Sequence, residues 1–192
     1  MSDAERQSAE TLAVLLSHIG RAGDAAHLQH GLTAAQWTAL RYLADANAMS
    51  RTVSALARYC ATTRGPASKT VKALIDAGYA VRRPAPHDGR SSRIDLTASG
   101  RELAARDPYR ALVAAIGALP TDARTGLARA ATRLLADLPC PDGNCFGTCP
   151  TCGNLVIESG SVRVCALNGS VLAPGDEDCI CAAYTPRPRH RS

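Results

Sequence analysis

The cysteines of this chain are crowded into its C-terminal part, and this distribution constrains the fold more than any other feature. Only Cys60 lies in the first 139 residues, whereas seven of the eight cysteines lie in the last 53. Pro139 marks the change, and beyond it the sequence is rich in Gly, Pro, Asp and Cys. We therefore predict a domain over 1–139, a cysteine-rich metal-binding module over 140–185 and a flexible basic tail over 186–192.

Length and composition narrow the class of protein. The 192 residues suffice for one domain of ordinary size and a small appendage. No run of about 20 apolar residues is present, so we expect no membrane span. The N-terminus, MSDAERQSAE, lacks the basic start and apolar run of a signal peptide. We expect a cytoplasmic protein, and there dense cysteines more often serve metal or redox chemistry than stable disulfides.

Charge is divided unevenly between the two parts. Residues 1–139 carry 18 basic and 12 acidic side chains, a net of +6, whereas the rest carries four Arg and five acidic side chains, a net of −1. A basic surface alone favours a nucleic-acid partner only modestly. Position is more informative, because the only two lysines, Lys69 and Lys72, lie three residues apart in one helical segment.

Apolar spacing and capping residues predict three helices in the first 60 residues. The first covers 4–28. Thr33 caps the second, with Gln36 at the capping-box position, and Trp37 is expected in the core. Thr52 opens the third helix, and Cys60 at its end is expected to be a small buried apolar residue.

A fourth helix, over roughly 65–77, completes a helix-turn-helix. Gly65-Pro66 begins it and Gly78 closes it. Ser68, Lys69 and Lys72 fall largely off its inward stripe. Two short helices joined by a tight turn, the second with outward polar and basic groups, form a helix-turn-helix.

A basic hairpin follows the helix-turn-helix. Tyr79–Arg83 and Ser92–Leu96 are predicted strands, and Asp88-Gly89 is a turn signal. The hairpin carries four arginines, Arg82, Arg83, Arg90 and Arg93. This combination indicates a wing that lies along a DNA backbone. Helices over 97–106, 109–118 and 121–138 then follow, and the first and last helices of the domain have enough apolar surface for a dimer interface.

Three stretches resemble one family. GLTAAQWTALRYL, TTRGPASKTVKALIDAGYAVRR and DGRSSRIDLTASGRELA resemble the second helix, the recognition helix with the start of the wing, and the wing return of the MarR family of winged-helix bacterial regulators. The resemblance covers roughly residues 4–138. It implies a mainly α fold, a winged helix-turn-helix with long dimerisation helices, to which the cysteine-rich tail is added.

The resemblance also implies a function and a DNA-binding surface. It implies a homodimer that binds double-stranded DNA at a pseudo-palindromic operator, usually as a repressor, with recognition helices in the major groove and wings along the minor groove. Carried over by position, the residues on or beside the recognition helix are Thr63, Arg64, Pro66, Ala67, Ser68, Lys69 and Lys72, and those on the wing are Arg90 and Arg93. Asp88 would orient a wing arginine, because a carboxylate repels phosphate.

The seven tail cysteines admit four interpretations. They are a disulfide-bonded or disordered tail, a reversible thiol switch, a structural zinc site and an iron–sulfur site. CPTCG is a good zinc-knuckle sequence, but no second C-x2-C follows it. All-thiolate ligation in Gly- and Pro-rich loops suits an iron–sulfur cluster.

One subset of the cysteines resembles a second family. Cys149-x2-Cys152-x12-Cys165-x15-Cys181, ending CAAY, resembles the ligand pattern of high-potential iron–sulfur proteins, which bind one 4Fe–4S cluster. That family cages its cluster with several aromatics, whereas this tail has only Phe146 and Tyr184. Cys179 and Cys181 both remain possible ligands, because side chains at i and i+2 of an extended segment share a face. Cys140 and Cys145 are further alternatives.

Together these patterns predict a transcription regulator and no enzyme, because no nucleotide-binding glycine loop or catalytic triad pattern is present. The leading hypothesis is a regulator that senses redox state, oxygen, nitric oxide or iron through a tail cluster hanging on the end of the last dimer helix. The alternative is a MarR-like repressor that responds to a small molecule and whose tail binds structural zinc.

Overall fold

The computed structural model describes residues 3–25, 31–85, 88–107, 109–137, 145–158 and 162–187. Cys140, Leu28 and Leu138 lie outside the described residues. So do the side chains of Cys145, Asp88 and Arg90, whose predicted roles therefore stay predictions.

Local sequence signals set the first helices much as expected. Helix α1 runs over Asp3–Ala25, α2 over Ala34–Asp45, α3 over Val53–Tyr59 and α4 over Arg64–Asp76. The capping box before α2 is present: the Thr33 N–H donates to Gln36 Oε1 at 2.7 Å, and the Gln36 N–H donates to Thr33 Oγ1 at 3.3 Å. Gly78 ends the α4 segment with a φ of +77°, in the left-handed region that glycine adopts at low cost.

The wing is longer than predicted. Strand β1 covers Ala80–Ala85 and pairs in antiparallel fashion with β2, Asp88–Leu96. Asp88-Gly89 therefore lies in a strand rather than forming the turn that its sequence indicated. Pro84 faces Ser92 within the ladder. The proline is tolerated because both strands of a two-stranded sheet are edges, so one side of each needs no partner.

The core lies between α2, α3, α4 and the wing. Trp37, as predicted, has no exposed surface, and Ile94 of β2 is equally buried. The other large fully buried side chains include Leu40, Tyr42, Leu43, Leu56, Val71 and Leu74. Tyr59, the last residue of α3, is 37% exposed.

Three further helices, which the sequence placed to within one or two residues, follow the wing. Helix α5 covers Ala98–Ala105, α6 covers Arg110–Gly117 and α7 covers Thr121–Asp137. Asp107, buried between α5 and α6, accepts hydrogen bonds from Arg41 Nε at 2.6 Å and Arg41 Nη2 at 3.1 Å. This bidentate pair joins α2 to the start of the last helices. None of the helices in the described ranges has the length and apolarity needed to span a bilayer.

The cysteine-rich tail folds into two small antiparallel sheets. One pairs β3, Cys145–Gly147, with β7, Cys181–Tyr184. The other has the order β4-β5-β6, with strands Leu155–Ile157, Arg163–Cys165 and Ser170–Val171. Short 3-10 turns cover Cys149–Thr151 and Asp176–Asp178.

The tail packs against the N-terminal domain rather than hanging on the end of α7. Ala182 of β7 is part of the core of the N-terminal domain, and Phe146 and Ile180 pack against that core. The ordered part also extends past residue 185, because Arg187 Nε donates to the Cys152 carbonyl at 3.1 Å. These long-range contacts, which sequence spacing does not reveal, correct the expectation of a tail that hangs on the end of α7. The domain boundaries stay predictions, and residues 188–192 of the predicted flexible tail lie outside the described residues.

Gly100 is the position where the fold tolerates a side chain least. A Cβ built there would lie 2.0 Å from the Tyr79 carbonyl oxygen. We expect Gly100→Ala to lower the free energy of unfolding by about 1–3 kcal/mol, because α5 must move off the base of the wing. Gly65→Ala is the matched control, since its Cβ meets nothing within 4 Å, and should change stability by less than about 1 kcal/mol. Denaturant unfolding of both variants measures this, and equal stabilities would contradict the close packing.

Candidate DNA-binding surface and cysteine centre

Helix α4 presents a polar and basic outer face. Thr63 is its N-cap residue, and Arg64, Pro66, Lys69 and Lys72 are exposed. Ser68 is half-buried. Ala67, which the resemblance placed on or beside the recognition helix, is instead buried in the core at 4% exposure. The outer face of α4 therefore offers cationic and hydroxyl groups to a partner.

The positive charge that α4 can offer to a partner comes mainly from the N-terminal half of the helix. Lys72 Nζ lies 2.6 Å from Asp76 Oδ2, an exposed i,i+4 pair that offsets part of its charge. Arg64 and Lys69 are five residues apart in the N-terminal half of the helix. That end also carries the positive pole of the helix dipole, so it favours an anionic partner.

The arginines at the base of the wing are organised by Asp95, a residue that sequence reasoning missed. Its carboxylate lies 2.8 Å from Arg93 Nη2, 3.5 Å from Arg83 Nε and 3.4 Å from Arg51 Nη1. Arg93 is half-buried and paired with this carboxylate, so its main role is to stabilise strand β2. Arg82 is exposed and donates to Ser92 Oγ at 3.2 Å. Asp95, on strand β2, thus holds Arg83 and Arg93 of the wing, and the role predicted for Asp88 stays a prediction.

Four tail cysteines come from one 3-10 turn and two strands. Cys149 begins a 3-10 turn and Cys152 follows it, with the Cys152 N–H donating to the Cys149 carbonyl at 2.9 Å. Cys165 ends β5 and Cys181 begins β7. Cys152 and Cys181 are buried, at 7% and 8% exposure, whereas Cys149 and Cys165 are half-buried.

The thiols of Cys152, Cys165 and Cys181 lie within electrostatic reach of Cys149. The pKa of Cys149 is raised to about 11, first by burial and then by the negative charges that Cys181, Cys152 and Cys165 would carry as thiolates. Glu177 adds a smaller effect of the same sign. These are the four cysteines of the predicted ligand set, brought to one place from a 33-residue stretch.

Cys179 has different surroundings from Cys181. Its thiol donates to the Gly175 carbonyl at 3.5 Å. Its pKa is raised by burial and by Asp176, with Arg51 acting in the opposite direction. Cys179 follows the 3-10 turn Asp176–Asp178, whereas strand β7 begins at Cys181. The place of Cys179 as an alternative ligand stays a prediction.

Donor chemistry and proximity suit a metal site, but the thiols are not in ligand positions. Within the described ranges, no group of three or more His, Cys, Asp or Glu side chains is arranged to hold a metal ion. A single zinc ion with Zn–S bonds of about 2.3 Å would bring its thiolates to within roughly 4 Å of one another. The four side chains would therefore have to turn toward a metal group and lose their protons to bind it.

The two aromatic side chains of the tail, Tyr184 and Phe146, pack in different places. Tyr184 covers Gly147, where a Cβ would lie 2.6 Å from the ring, and its hydroxyl donates to the Thr151 carbonyl at 3.0 Å. Tyr184 therefore stabilises the Cys149–Thr151 turn. Phe146 points into the N-terminal domain, with its ring centroid 5.3 Å from that of Tyr59 and 6.4 Å from that of Tyr42.

An apolar groove of about 330 Å³ lies between α2, α3 and α4. Leu56, Cys60 and Pro66 are among its lining residues. Cys60, expected to be buried, is half-buried, and burial raises the pKa of its thiol.

Comparison with known proteins identifies the N-terminal part. The sequence model of the MarR family matches residues 30–91, from before α2 into the wing. A MarR family protein of Mycobacterium tuberculosis is 30% identical, and its match covers 64% of this chain and 95% of that one, with a TM-score of 0.49. The chain belongs to the MarR family. Family membership supports the expectation of a transcription regulator rather than an enzyme.

Two more distant MarR structures share the fold. A MarR transcriptional regulator from Methanosarcina mazei is 19% identical, with a TM-score of 0.54, over 67% of this chain and 96% of that one. A MarR family protein from Bacillus stearothermophilus is 17% identical, with a TM-score of 0.56, over 70% of this chain and 95% of that one. Each leaves about a third of this chain without a counterpart. No curated protein matches the chain.

The raised pKa of Cys149 predicts slow alkylation in metal-free protein. At pH 8 a pKa of about 11 leaves roughly one thiol in a thousand as thiolate, against about one in four for an ordinary cysteine of pKa about 8.5. We expect iodoacetamide to modify Cys149 about 200-fold more slowly than a free thiol at pH 8, and about tenfold faster for each pH unit up to about 10. Peptide mass spectrometry measures the rate at each site.

The variant Cys181→Ser provides the control for this measurement. It removes the neighbour whose negative charge raises the Cys149 pKa most, but it leaves the burial unchanged. The pKa of Cys149 should therefore fall part of the way toward its ordinary value, and the alkylation of Cys149 should become faster. Alkylation of Cys149 at the rate of a free thiol in the unmodified protein would show that the four thiols are not gathered as described.

Proposed function

We propose that this MarR-family protein is a DNA-binding transcription regulator that acts as a homodimer and senses redox state, oxygen, nitric oxide or iron through an iron–sulfur cluster held by its tail. The observation that carries the proposal is the gathering of Cys149, Cys152, Cys165 and Cys181 beside the DNA-binding domain. A repressor that binds a pseudo-palindromic operator is the form that the family resemblance favours.

The proposed DNA contacts come from α4 and the wing. Arg64 and Lys69 are exposed on the outer face of α4. Such side chains bind phosphates as cations and can donate to guanine in the major groove. Arg82 and Arg83 are exposed on β1 and suit the electronegative minor groove. Arg93 would act indirectly, by fixing the strand through Asp95.

The proposed dimer interface is formed by the outer helices. Their large apolar side chains remain exposed in the single chain, and a symmetric partner would bury them. On α1 they are Leu12, Val14, Leu15, Leu16 and Ile19, and on α7 they are Leu127 and Leu134. A dimer would place two α4 helices for two half-sites, which is why the operator is expected to be palindromic.

The DNA proposal predicts a change in salt dependence when α4 loses charge. Lys69→Ala and Arg64→Ala should each weaken binding to a duplex selected by the wild-type protein from a random-sequence library. Each should also flatten the slope of log affinity against log salt by about 0.9 for every phosphate that the variant no longer neutralises. Fluorescence anisotropy at several salt concentrations measures both quantities.

Arg133→Ala is the charge-matched control for those variants, because Arg133 is an exposed arginine on α7 whose partner, Asp137, is on the same helix. It should leave affinity and slope unchanged. Equal effects of Arg133→Ala and Lys69→Ala would mean that binding follows net charge, and the assignment of α4 as the recognition helix would fail.

The proposed cofactor is a 4Fe–4S cluster with four thiolate ligands, which supplies redox chemistry when bound. Thiolate ligation suits such clusters, and their oxidation state and survival respond to oxygen, nitric oxide and iron supply. Because the Cys149 pKa is raised, protons compete with the metal for this ligand, and metal affinity should fall as the pH falls.

The ligand set predicts which single substitutions remove the metal. In protein purified without oxygen, we expect about four irons and four sulfides per chain, the content of one cubane cluster. Cys149→Ser, Cys152→Ser, Cys165→Ser and Cys181→Ser should each lose most of that iron. Cys179→Ser, in the same tail but with other neighbours, and Cys60→Ser, outside the tail, should keep it. Visible absorption with iron, sulfide and zinc analysis provides the readout.

Two outcomes would redirect the proposal. Colourless protein with one zinc and no sulfide per chain would favour the alternative, a MarR-like repressor that responds to a small molecule and whose tail is structural. Retention of iron by Cys181→Ser with loss by Cys179→Ser would keep the cluster but overturn the assignment of the fourth ligand.

A further inference from the structure

The turn between α2 and α3 is an interaction surface whose partner is the tail strand. Ile180 forms a parallel bridge with Ala46. Its N–H donates to the Asp45 carbonyl at 2.8 Å, and its carbonyl accepts from the Asn47 N–H at 3.0 Å. Two main-chain hydrogen bonds thus join residues more than 130 positions apart in sequence, at the point where α2 ends.

A second attachment follows two residues later. The Ala182 N–H donates to Ser50 Oγ at 2.8 Å in a buried position, and Arg58 Nη2 of α3 donates to the Ala182 carbonyl at 3.4 Å. Ala182 and Ser50 are 6% and 1% exposed. Water therefore cannot readily replace these bonds, and separation of the strand would leave buried polar groups without partners.

Aromatic packing adds a third attachment. The ring of Phe146, on β3 beside β7, meets Tyr42 of α2 and Tyr59 of α3 edge to face. Aromatic pairs in this geometry contribute beyond the area that they bury. Tyr59 ends α3, directly before the turn that leads to α4. The tail therefore contacts both helices that support the proposed recognition helix.

The same turn is bonded to the wing on its other side. The Arg51 carbonyl accepts from the Ile94 N–H at 2.7 Å, and the Arg51 side chain pairs with Asp95. Residues 45–51 are thus held between tail strand β7 and wing strand β2. We call residues 45–51 the clamp segment.

Cys181 lies between the two attachment points of the tail, Ile180 and Ala182. We propose that the clamp segment couples the state of the tail thiols, above all Cys181, to the order of the helix-turn-helix and the wing. Loss of a group bound at Cys181 would loosen β7, free the clamp segment and weaken DNA binding, because the recognition helix and wing would then be less well pre-organised. The identity of the bound group rests on the proposed function, whereas the docking of β7 does not.

The first test is hydrogen–deuterium exchange on the full chain, purified without oxygen, before and after a chelator removes the bound metal. We expect faster exchange in 45–51, 180–182 and α3. DNA affinity for the selected duplex should fall by about 5- to 150-fold, the usual range of coupling between two sites. Unchanged exchange in 45–51 alongside altered DNA binding would overturn the route through the clamp segment.

Phe146→Ala separates docking from metal binding, since it removes the aromatic attachment but no thiol. It should keep its metal, show fast exchange in 45–51 at the outset, and bind DNA weakly with little further change after chelation. Ser50→Ala, which removes one acceptor, should show a smaller effect in the same direction. Val171→Ala is the control, because Val171 is 68% exposed on the other tail sheet; it should respond as the wild type does.

The outcomes distinguish this inference from the proposed function. If the protein holds no iron or sulfide, the cluster proposal fails, and the clamp is judged on Phe146→Ala alone. Faster exchange in 45–51 with weaker DNA binding in that variant would still support the clamp. A Phe146→Ala protein that matches the wild type in exchange, DNA affinity and response to chelation would overturn it.

Discussion

A single buried hydrogen bond holds the turn on which the long-range organisation of this molecule depends. The Tyr42 hydroxyl donates to the Ser50 carbonyl at 2.7 Å, and both residues are almost fully buried. Burial raises the Tyr42 pKa well above its usual range, so the hydroxyl keeps its proton and remains a donor at physiological pH. An unpaired buried group of this kind costs about 1–3 kcal/mol. This bond lies within residues 42–50, so it holds the turn independently of the wing and the tail.

Features encoded by neighbouring residues could be predicted from the sequence. The capping box at Thr33 and Gln36, the burial of Trp37 and the helix end at Gly78 depend on contacts within a few positions, and the structure confirms each. The wing is longer than its sequence indicates because Pro84 does not end its strand. A proline ends a central strand, but the wing has only two edge strands, and this is a property of the sheet rather than of the residue.

The docking of the tail could not be predicted, because it depends on pairs of residues far apart in sequence. Phe146 is one of two tail aromatics that could shield a cluster, but it packs on Tyr42 and Tyr59 instead. The distinction between Cys179 and Cys181 is hidden for a different reason. The Cys179 thiol donates to the Gly175 carbonyl and lies near Asp176 and Arg51, whereas Cys181 lies near Cys149. Cysteine spacing indicates the set of four, but it does not show these different surroundings.

The position of the tail changes the kind of regulation that this fold permits. A group attached to the end of α7 would act through the dimer helices and alter the distance between two recognition helices. A strand docked on residues 45–51 acts within one DNA-binding lobe, because its contacts are with α2, α3 and, through Arg51, the wing. In the proposed dimer each half-site would then be controlled by the tail on its own lobe. Loss of the bound group would lower the affinity of each lobe for DNA, while the apolar faces of α1 and α7 would still hold the dimer together.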